Sequence, residues 1–325
     1  MEVTVGIPLY KNSVSILMEL LTSLSRQTFK NFNVILVHKE VPNDGIKELL
    51  GKFEDSLQLQ RIVQKEGYFD EALNLLYSRS NADLLITTDG DAVPSRTWVQ
   101  DHVRAHVKIP EAGVISPGSQ GNSNKTGILQ MAYSRILEQP LDAGMRKYGN
   151  YFSKGGLLVN NPHPLSSGDF SYTFNPIGVN MSVKREVYRG FRLIPFTLRG
   201  IGNEPYLCLH AYEEGYPCIK LKDDTCKIHH YDGNSLSRPK EVKGIVERFA
   251  EFSLSPYYVS KQYEVNLHFS MADIAIRTAL WEMKADAEQM AKVKGLKLGV
   301  RLAKEGIEDK KDPAWIRDKL REIVQ

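Results

Sequence analysis

The stretch Asp83-Leu84-Leu85-Ile86-Thr87-Thr88-Asp89-Gly90-Asp91-Ala92-Val93-Pro94 runs an apolar segment into a turn that holds two carboxylates. A short apolar run bounded by turn residues reads as a strand buried on both faces, which is the habit of parallel sheets covered by helices. The surrounding chain repeats the pattern. Val3 to Ile7, Asn33 to Val37, Leu57 to Val63 and Gly113 to Ser116 read as further strands. Between them lie amphipathic helices: Val14 to Gln27 carries Ile16, Leu17, Leu20, Leu21 and Leu24 on one stripe, and Ala72, Leu73, Leu75 and Leu76 form a shorter one. This alternation predicts an α/β fold, a Rossmann-like and mostly parallel sheet flanked by helices. Such sheets bind ligands at the carboxyl ends of their strands, so chemistry is expected in the loops after Ile7, Val37 and Thr87.

The 325 residues, 42% hydrophobic and 25% charged, have the composition of a globular protein and exclude disorder and collagen. The net charge of +3 is too small to imply a nucleic-acid surface without a local cluster to concentrate it, and no nucleic-acid partner is expected. Three cysteines, Cys208, Cys218 and Cys226, lack CxxC spacing and read as buried residues or free thiols in a reducing compartment. No apolar run approaches the ~20 residues of a membrane span, and the start enters a strand pattern directly, so a cytoplasmic protein is expected.

Beyond Pro117 the chain becomes rich in Gly, Pro, Asn, Ser and Tyr, which suits loops around a site. From about residue 236 it reads as helical, with a long Ala-rich helix over Met271 to Lys294 and a final helix started by Asp312-Pro313.

Two carboxylates flanking a glycine at a strand end suit a hard divalent cation, which takes few protein ligands and completes its shell with water and phosphate oxygens. The plainer reading is a solvated turn, because Asp and Gly are common turn residues.

The ordered set Val5-Gly6-Ile7-Pro8-Leu9-Tyr10, Gln27-Thr28-Phe29, Asn33 to Val37, Ala72-Leu73-Asn74 and Thr88 to Pro94 with Trp98 resembles the inverting family 2 glycosyltransferases of the GT-A fold. Gly178-Val179-Asn180, Gly202-Asn203-Glu204 with Glu214-Gly215-Tyr216, and His230-Tyr231-Asp232-Gly233-Asn234-Ser235 continue it. The resemblance implies a catalytic domain over residues 1–235, divided into a nucleotide-sugar half (1–116) and an acceptor half (117–235), with a helical region at 236–325. It implies donor contacts at Pro8, Leu9, Tyr10, Asn74, Asp89 and Asn180, and Mn²⁺ or Mg²⁺ held by Asp89, Asp91 and His230. It implies Glu204 as the catalytic base. The expected activity is transfer of a sugar from a UDP- or GDP-activated donor to an acceptor hydroxyl on a glycan, a lipid-linked or a small molecule.

The chain departs from that pattern in three places. His38-Lys39-Glu40 replaces the acidic residue expected to contact the nucleobase, Asn203-Glu204 replaces a Glu-Asp pair, and His229 adjoins His230 so that a one-residue slip exchanges the two rings. Each residue also has a plainer use: Glu204 at a helix start, His230 as a hydrogen-bonded histidine, Asn180 satisfying backbone groups, Tyr10 packing on the sheet. Two rival functions follow from the same residues. One is a phosphatase of the haloacid dehalogenase type, with Asp89 as nucleophile and Lys222, Asp223 and Asp224 in support. The other is a binding protein that keeps the donor pocket without turnover. Basic and apolar residues interleave over Lys292 to Lys304, which reads either as peripheral contact with an anionic membrane or as a helix packed on the core or on a second copy of the chain.

Overall fold

The computed structural model describes residues 1–118, 136–161, 164–165, 167–222, 225–231, 239–283 and 286–324. The chain divides into two compact units, one of Met1–Gly121, Ser166–Leu193 and Glu204–Gly233, the other of Asn122–Leu165, Ile194–Asn203 and Asn234–Gln325.

The first unit holds an eight-stranded sheet. Its strands are β1 (Val3–Leu9), β2 (Phe32–His38), β3 (Leu59–Val63), β4 (Leu84–Thr87), β6 (Val114–Pro117), β9 (Phe170–Tyr172), β10 (Met181–Lys184) and β11 (Cys218–Leu221). They stand in the order β3-β2-β1-β4-β10-β6-β11-β9. β3, β2, β1 and β4 are mutually parallel, β11 runs parallel to β6, and β10 and β9 are antiparallel to their neighbours. The helices are α1 (Val14–Ser25), α2 (Ile46–Gly51), α3 (Phe69–Arg79), α4 (Trp98–Lys108), the short α5 (Arg185–Tyr188) and α6, which starts at Asn203 and runs to Glu213. The central strands read as apolar runs because helices cover both faces: Val5, Ile7, Val34, Leu36, Leu84 and Ile86 are fully buried. From β1 the chain builds outward through β2 and β3, then returns to lay β4 on the other side of β1. That reversal makes the carboxyl ends of β1 and β4 the switch point at which such sheets bind ligands. The α/β sheet matches the fold expected from the sequence. A second, two-stranded sheet pairs β5 (Ala92–Pro94) with β12 (Ile228–His230) in antiparallel register, His230 opposite Ala92.

The second unit contains the pair β7 (Asn150–Phe152) and β8 (Leu158–Asn160) and five helices among the described residues: α7 (Val242–Ser253), α8 (Ser255–Val259), α9 (Leu267–Glu282), α10 (Ala287–Glu308) and α11 (Pro313–Val324). The single helix expected over Met271 to Lys294 is two. The Asp286 carboxylate accepts from the Gln289 amide at 2.7 Å and starts α10 afresh, a side-chain cap that competes with helix continuation. α10 lies close against α7, so that a Cβ on Gly295 would meet the Val246 carbonyl oxygen at 2.5 Å, and Ser253 Oγ donates to the Leu296 carbonyl at 2.9 Å. Val293, Leu296, Leu298, Val300, Leu302 and Ala303 are thereby buried. Glu251, fully buried on α7, accepts from the backbone amides of Leu198 (2.6 Å), Arg199 (2.8 Å) and Ile201 (3.1 Å). Among the described residues no helix is long and apolar enough to cross a membrane. All three cysteines are free and buried.

Candidate active site

β4 runs alongside β1 until the Thr88 amide donates to the Gly6 carbonyl at 3.1 Å, and the Asp89-Gly90-Asp91 turn follows. Gly90 seats the turn on the loop after β1: a Cβ there would meet Asn12 Nδ2 at 2.5 Å and Leu9 Cδ2 at 2.6 Å, so a larger residue would have to displace those side chains. After the turn, β5 pairs with β12, and the Tyr231 amide donates to the Asp91 carbonyl at 3.0 Å. This register places His230, and not His229, at the carboxylates. His230 Nε2 lies 3.2 Å from Asp91 Oδ1, while the His229 ring packs edge-on against Tyr231.

Asp89, Asp91 and His230 each offer one ligand atom, and these atoms lie within 4.8 Å of one another. Two carboxylate oxygens and an imidazole nitrogen form a donor set that fits Mn²⁺, and the oxygens also suit Mg²⁺. Burial, reinforced by the charge of Asp91, pushes the Asp89 carboxyl up to about 6, with His230 acting in the opposite sense. A cation would relieve that repulsion. The buried Thr88 hydroxyl beside it has no hydrogen-bond partner among the described residues.

Glu204 stands in the first turn of α6. Its Oε1 presses on Gly178, where a Cβ would collide with it, so the Gly178–Asn180 turn is shaped to receive the carboxylate. Thr87 Oγ1 donates to the Gly178 carbonyl at 2.9 Å and ties this turn to the end of β4. Burial pushes the Glu204 carboxyl up to about 7, and the charges of Asp89 and Asp70 act in the same direction. A carboxyl titrating there suits proton transfer near neutral pH.

The remaining sites expected from the sequence are placed less uniformly. Tyr10 is 45% exposed at the end of β1, with Lys11 Nζ 5.2 Å and Lys39 Nζ 5.6 Å from its ring centroid. Lys39 also lies 5.2 Å from the Tyr68 ring, and its ammonium donates to the Gly67 carbonyl at 2.5 Å. Pro8 is half-buried beside Tyr10, and Leu9 is buried in the core with its carbonyl accepting from the Lys39 amide at 2.9 Å. The Asn74 amide clasps Leu193, donating to its carbonyl at 2.9 Å and accepting from its amide at 2.8 Å. The Asn180 amide is spent on Trp98, His102 and the Cys226 carbonyl. Lys222 donates to the Ser167 carbonyl at 2.5 Å, while Asp223, Asp224 and Asp232 to Ser235 lie outside the described residues. Asp70 and His102 were not singled out from the sequence. A carboxylate in the first turn of a helix and a histidine on a buried helical stripe have too many ordinary uses to stand out.

The model of the family described as glycosyl transferase family 2 matches residues 4–170, just over half of the chain. No curated protein sequence matches it. Among solved structures, S. aureus TarS 1-349 in complex with UDP-GlcNAc superposes with a TM-score of 0.50 at 12% identity, over 96% of this chain and 93% of that one. A longer S. aureus TarS chain gives 0.53 at 15% identity, over 98% of this chain and 55% of the other. At such identities the superpositions speak for the shared fold. The family match carries the membership: this chain belongs to glycosyl transferase family 2 and is a glycosyltransferase.

Proposed function

We propose that the protein is a metal-dependent inverting glycosyltransferase that moves a hexose from a nucleoside-diphosphate donor to an acceptor hydroxyl. The observation that carries this reading is the convergence of Asp89, Asp91 and His230 at the carboxyl end of β4, with Glu204 seated on the Gly178 turn that Thr87 ties to the same strand. A divalent cation bound there would neutralise charge on the departing diphosphate. Asp89, Asp91 and His230 would hold it. The half-buried Pro8, the Leu9 backbone and the Tyr10 ring line the donor side, and the ammonium groups of Lys11 and Lys39 add positive charge beside the ring. Glu204 accepts the proton of the acceptor hydroxyl as that oxygen attacks the anomeric carbon from the face opposite the leaving diphosphate, so the anomeric configuration inverts. Asn74 and Asn180, whose amides are internally bonded, support the site from behind. The fold shared with TarS, whose structure holds UDP-GlcNAc, makes a UDP-hexose the first donor to test and a GDP-hexose the second. Family membership removes the phosphatase alternative.

The test is a thermal-shift titration of UDP and GDP against wild type and Asp91→Asn, in Mn²⁺ and in EDTA. A ligand that binds only the native state raises its stability by mass action. The substitution is expected to weaken diphosphate binding in Mn²⁺ by about tenfold or more and to change it little in EDTA. Equal weakening in both would exclude metal ligation by Asp91. Anomeric inversion is read by NMR of the product, and retention of configuration would exclude this mechanism.

A further inference from the structure

Asn180 joins a buried hydrogen-bond chain to both halves of the site. Its Oδ1 accepts from Trp98 Nε1 at 2.8 Å and from His102 Nε2 at 3.0 Å, and its Nδ2 donates to the Cys226 carbonyl at 2.7 Å. The chemistry forces the direction of the bonds around Asn180. An indole N–H only donates and a carbonyl only accepts, so the amide has one orientation. His102 must then carry its proton on Nε2. Its Nδ1 is left as an acceptor 3.0 Å from Ser182 Oγ, which also lies 3.0 Å from His106 Nε2 and 3.4 Å from the Ile115 carbonyl. Trp98, His102 and Ser182 are fully buried and Asn180 and His106 nearly so. Burial pushes His102 down to about 4 and His106 down to about 3, which keeps both rings neutral and the chain intact near neutral pH.

Two attachments give this chain a consequence beyond core packing. In one, Asn180 is itself the last residue of the turn that receives the Glu204 carboxylate. In the other, Cys226 stands at φ 53, a left-handed conformation that a residue with a side chain keeps only when its surroundings hold it. The strand that follows ends at His230. Asn180 therefore grips the strained residue from which that strand departs, while helix α4 grips Asn180.

The geometry points to Asn180 and His102 as positioning residues that keep the turn beneath Glu204 and the strand bearing His230 at a fixed spacing. The inference rests on the reading of Asp89, Asp91 and His230 as metal ligands. Asn180→Asp isolates the tie, because a carboxylate still accepts from Trp98 and His102 but repels the Cys226 carbonyl. His102→Gln preserves a donor toward Asn180, and His102→Leu removes it.

The experiment measures the Mn²⁺ dissociation constant of the donor-free full chain by electron paramagnetic resonance, with melting temperatures alongside. Asn180→Asp and His102→Leu are expected to weaken Mn²⁺ binding about tenfold or more, as loss of a group that orients a ligand does, and His102→Gln to stay within about threefold of wild type. Wild-type Mn²⁺ affinity in Asn180→Asp, whatever its melting temperature, would reduce the network to core packing and overturn the inference. If Asn180→Asp does not fold, the two His102 variants carry the test. Asp91→Asn is the control for the underlying reading. If it too leaves Mn²⁺ binding unchanged, the metal assignment fails by itself. The imidazole ¹⁵N signals of His230 in metal-free protein then decide the tie: a shift in Asn180→Asp supports it, and unmoved signals overturn it.

Discussion

At Glu204, on a half-buried residue, desolvation of the carboxyl pushes it up to about 7, and Asp89 and Asp70 add negative charge in the same direction. Only its ionised form can accept the acceptor's proton, so transfer is expected to rise with pH through that value, and the rising limb of the kcat/KM profile checks it. Glu204→Gln should keep donor affinity and lose transfer by ~10²-fold or more, the mark of a group that acts in the transition state. The same carboxyl also governs stability. Between its ordinary value and about 7 the folded state holds a proton that the unfolded chain releases, so stability falls as pH rises across that window. Glu204→Gln removes the effect. The melting-temperature advantage of the variant over wild type should therefore be larger at about pH 8 than at about pH 5, and an unchanged gap would show that the carboxyl is not perturbed. At this scale the Asp-Gly-Asp turn was legible in the sequence, since both carboxylates and the strand before them are local. The use of His102 was not, because its partner Asn180 lies 78 residues away.

The loop of residues 197–203 shows how one element disciplines another. Its amides at Leu198, Arg199 and Ile201 converge on the buried Glu251 carboxylate of α7, and Arg199 Nε pairs with Glu247 at 2.7 Å. Glu251→Ala would leave three amides without their acceptor, and each unpaired buried group costs about 1–3 kcal/mol. The expected loss is about 3 kcal/mol or more in chemical denaturation. Glu251→Gln keeps one carbonyl acceptor and should lose less. An alanine variant as stable as wild type would mean that water replaces the carboxylate. The strands at β1, β2 and β4 were readable from their apolar runs, and the start of α11 from Asp312-Pro313, where Asp312 accepts from the Trp315 amide at 2.7 Å. The break between α9 and α10 was missed because alanine-rich periodicity continues across it, whereas the cap at Asp286 competes only locally.

For the whole molecule, the segment Lys292 to Lys304 carries the main open choice between a membrane surface and an internal packing face. Its apolar residues are buried and close contacts with α7 occupy its glycines, which leaves mainly charged residues outward. Flotation with anionic vesicles at low and high salt is expected to show no binding through this segment, and truncation before Lys292 to cause unfolding. Salt-sensitive cosedimentation lost on that truncation would reverse the reading. Periodicity and turn chemistry alone determined strands β1 to β4 and β6, the helices α1 and α3 beside them and the carboxylates at the end of β4, because each depends on neighbours within a few residues; β9, β10 and β11, which complete the eight-stranded sheet, come from the stretch that reads as loops. Tertiary structure alone decided that His230 and not His229 meets Asp91 across 139 residues, that the Asn180 amide is spent internally, and that the basic segment packs inward. The physical reason is that strand register and helix facing are set by pairing partners distant in the chain, and the residue types on either side are compatible with more than one pairing.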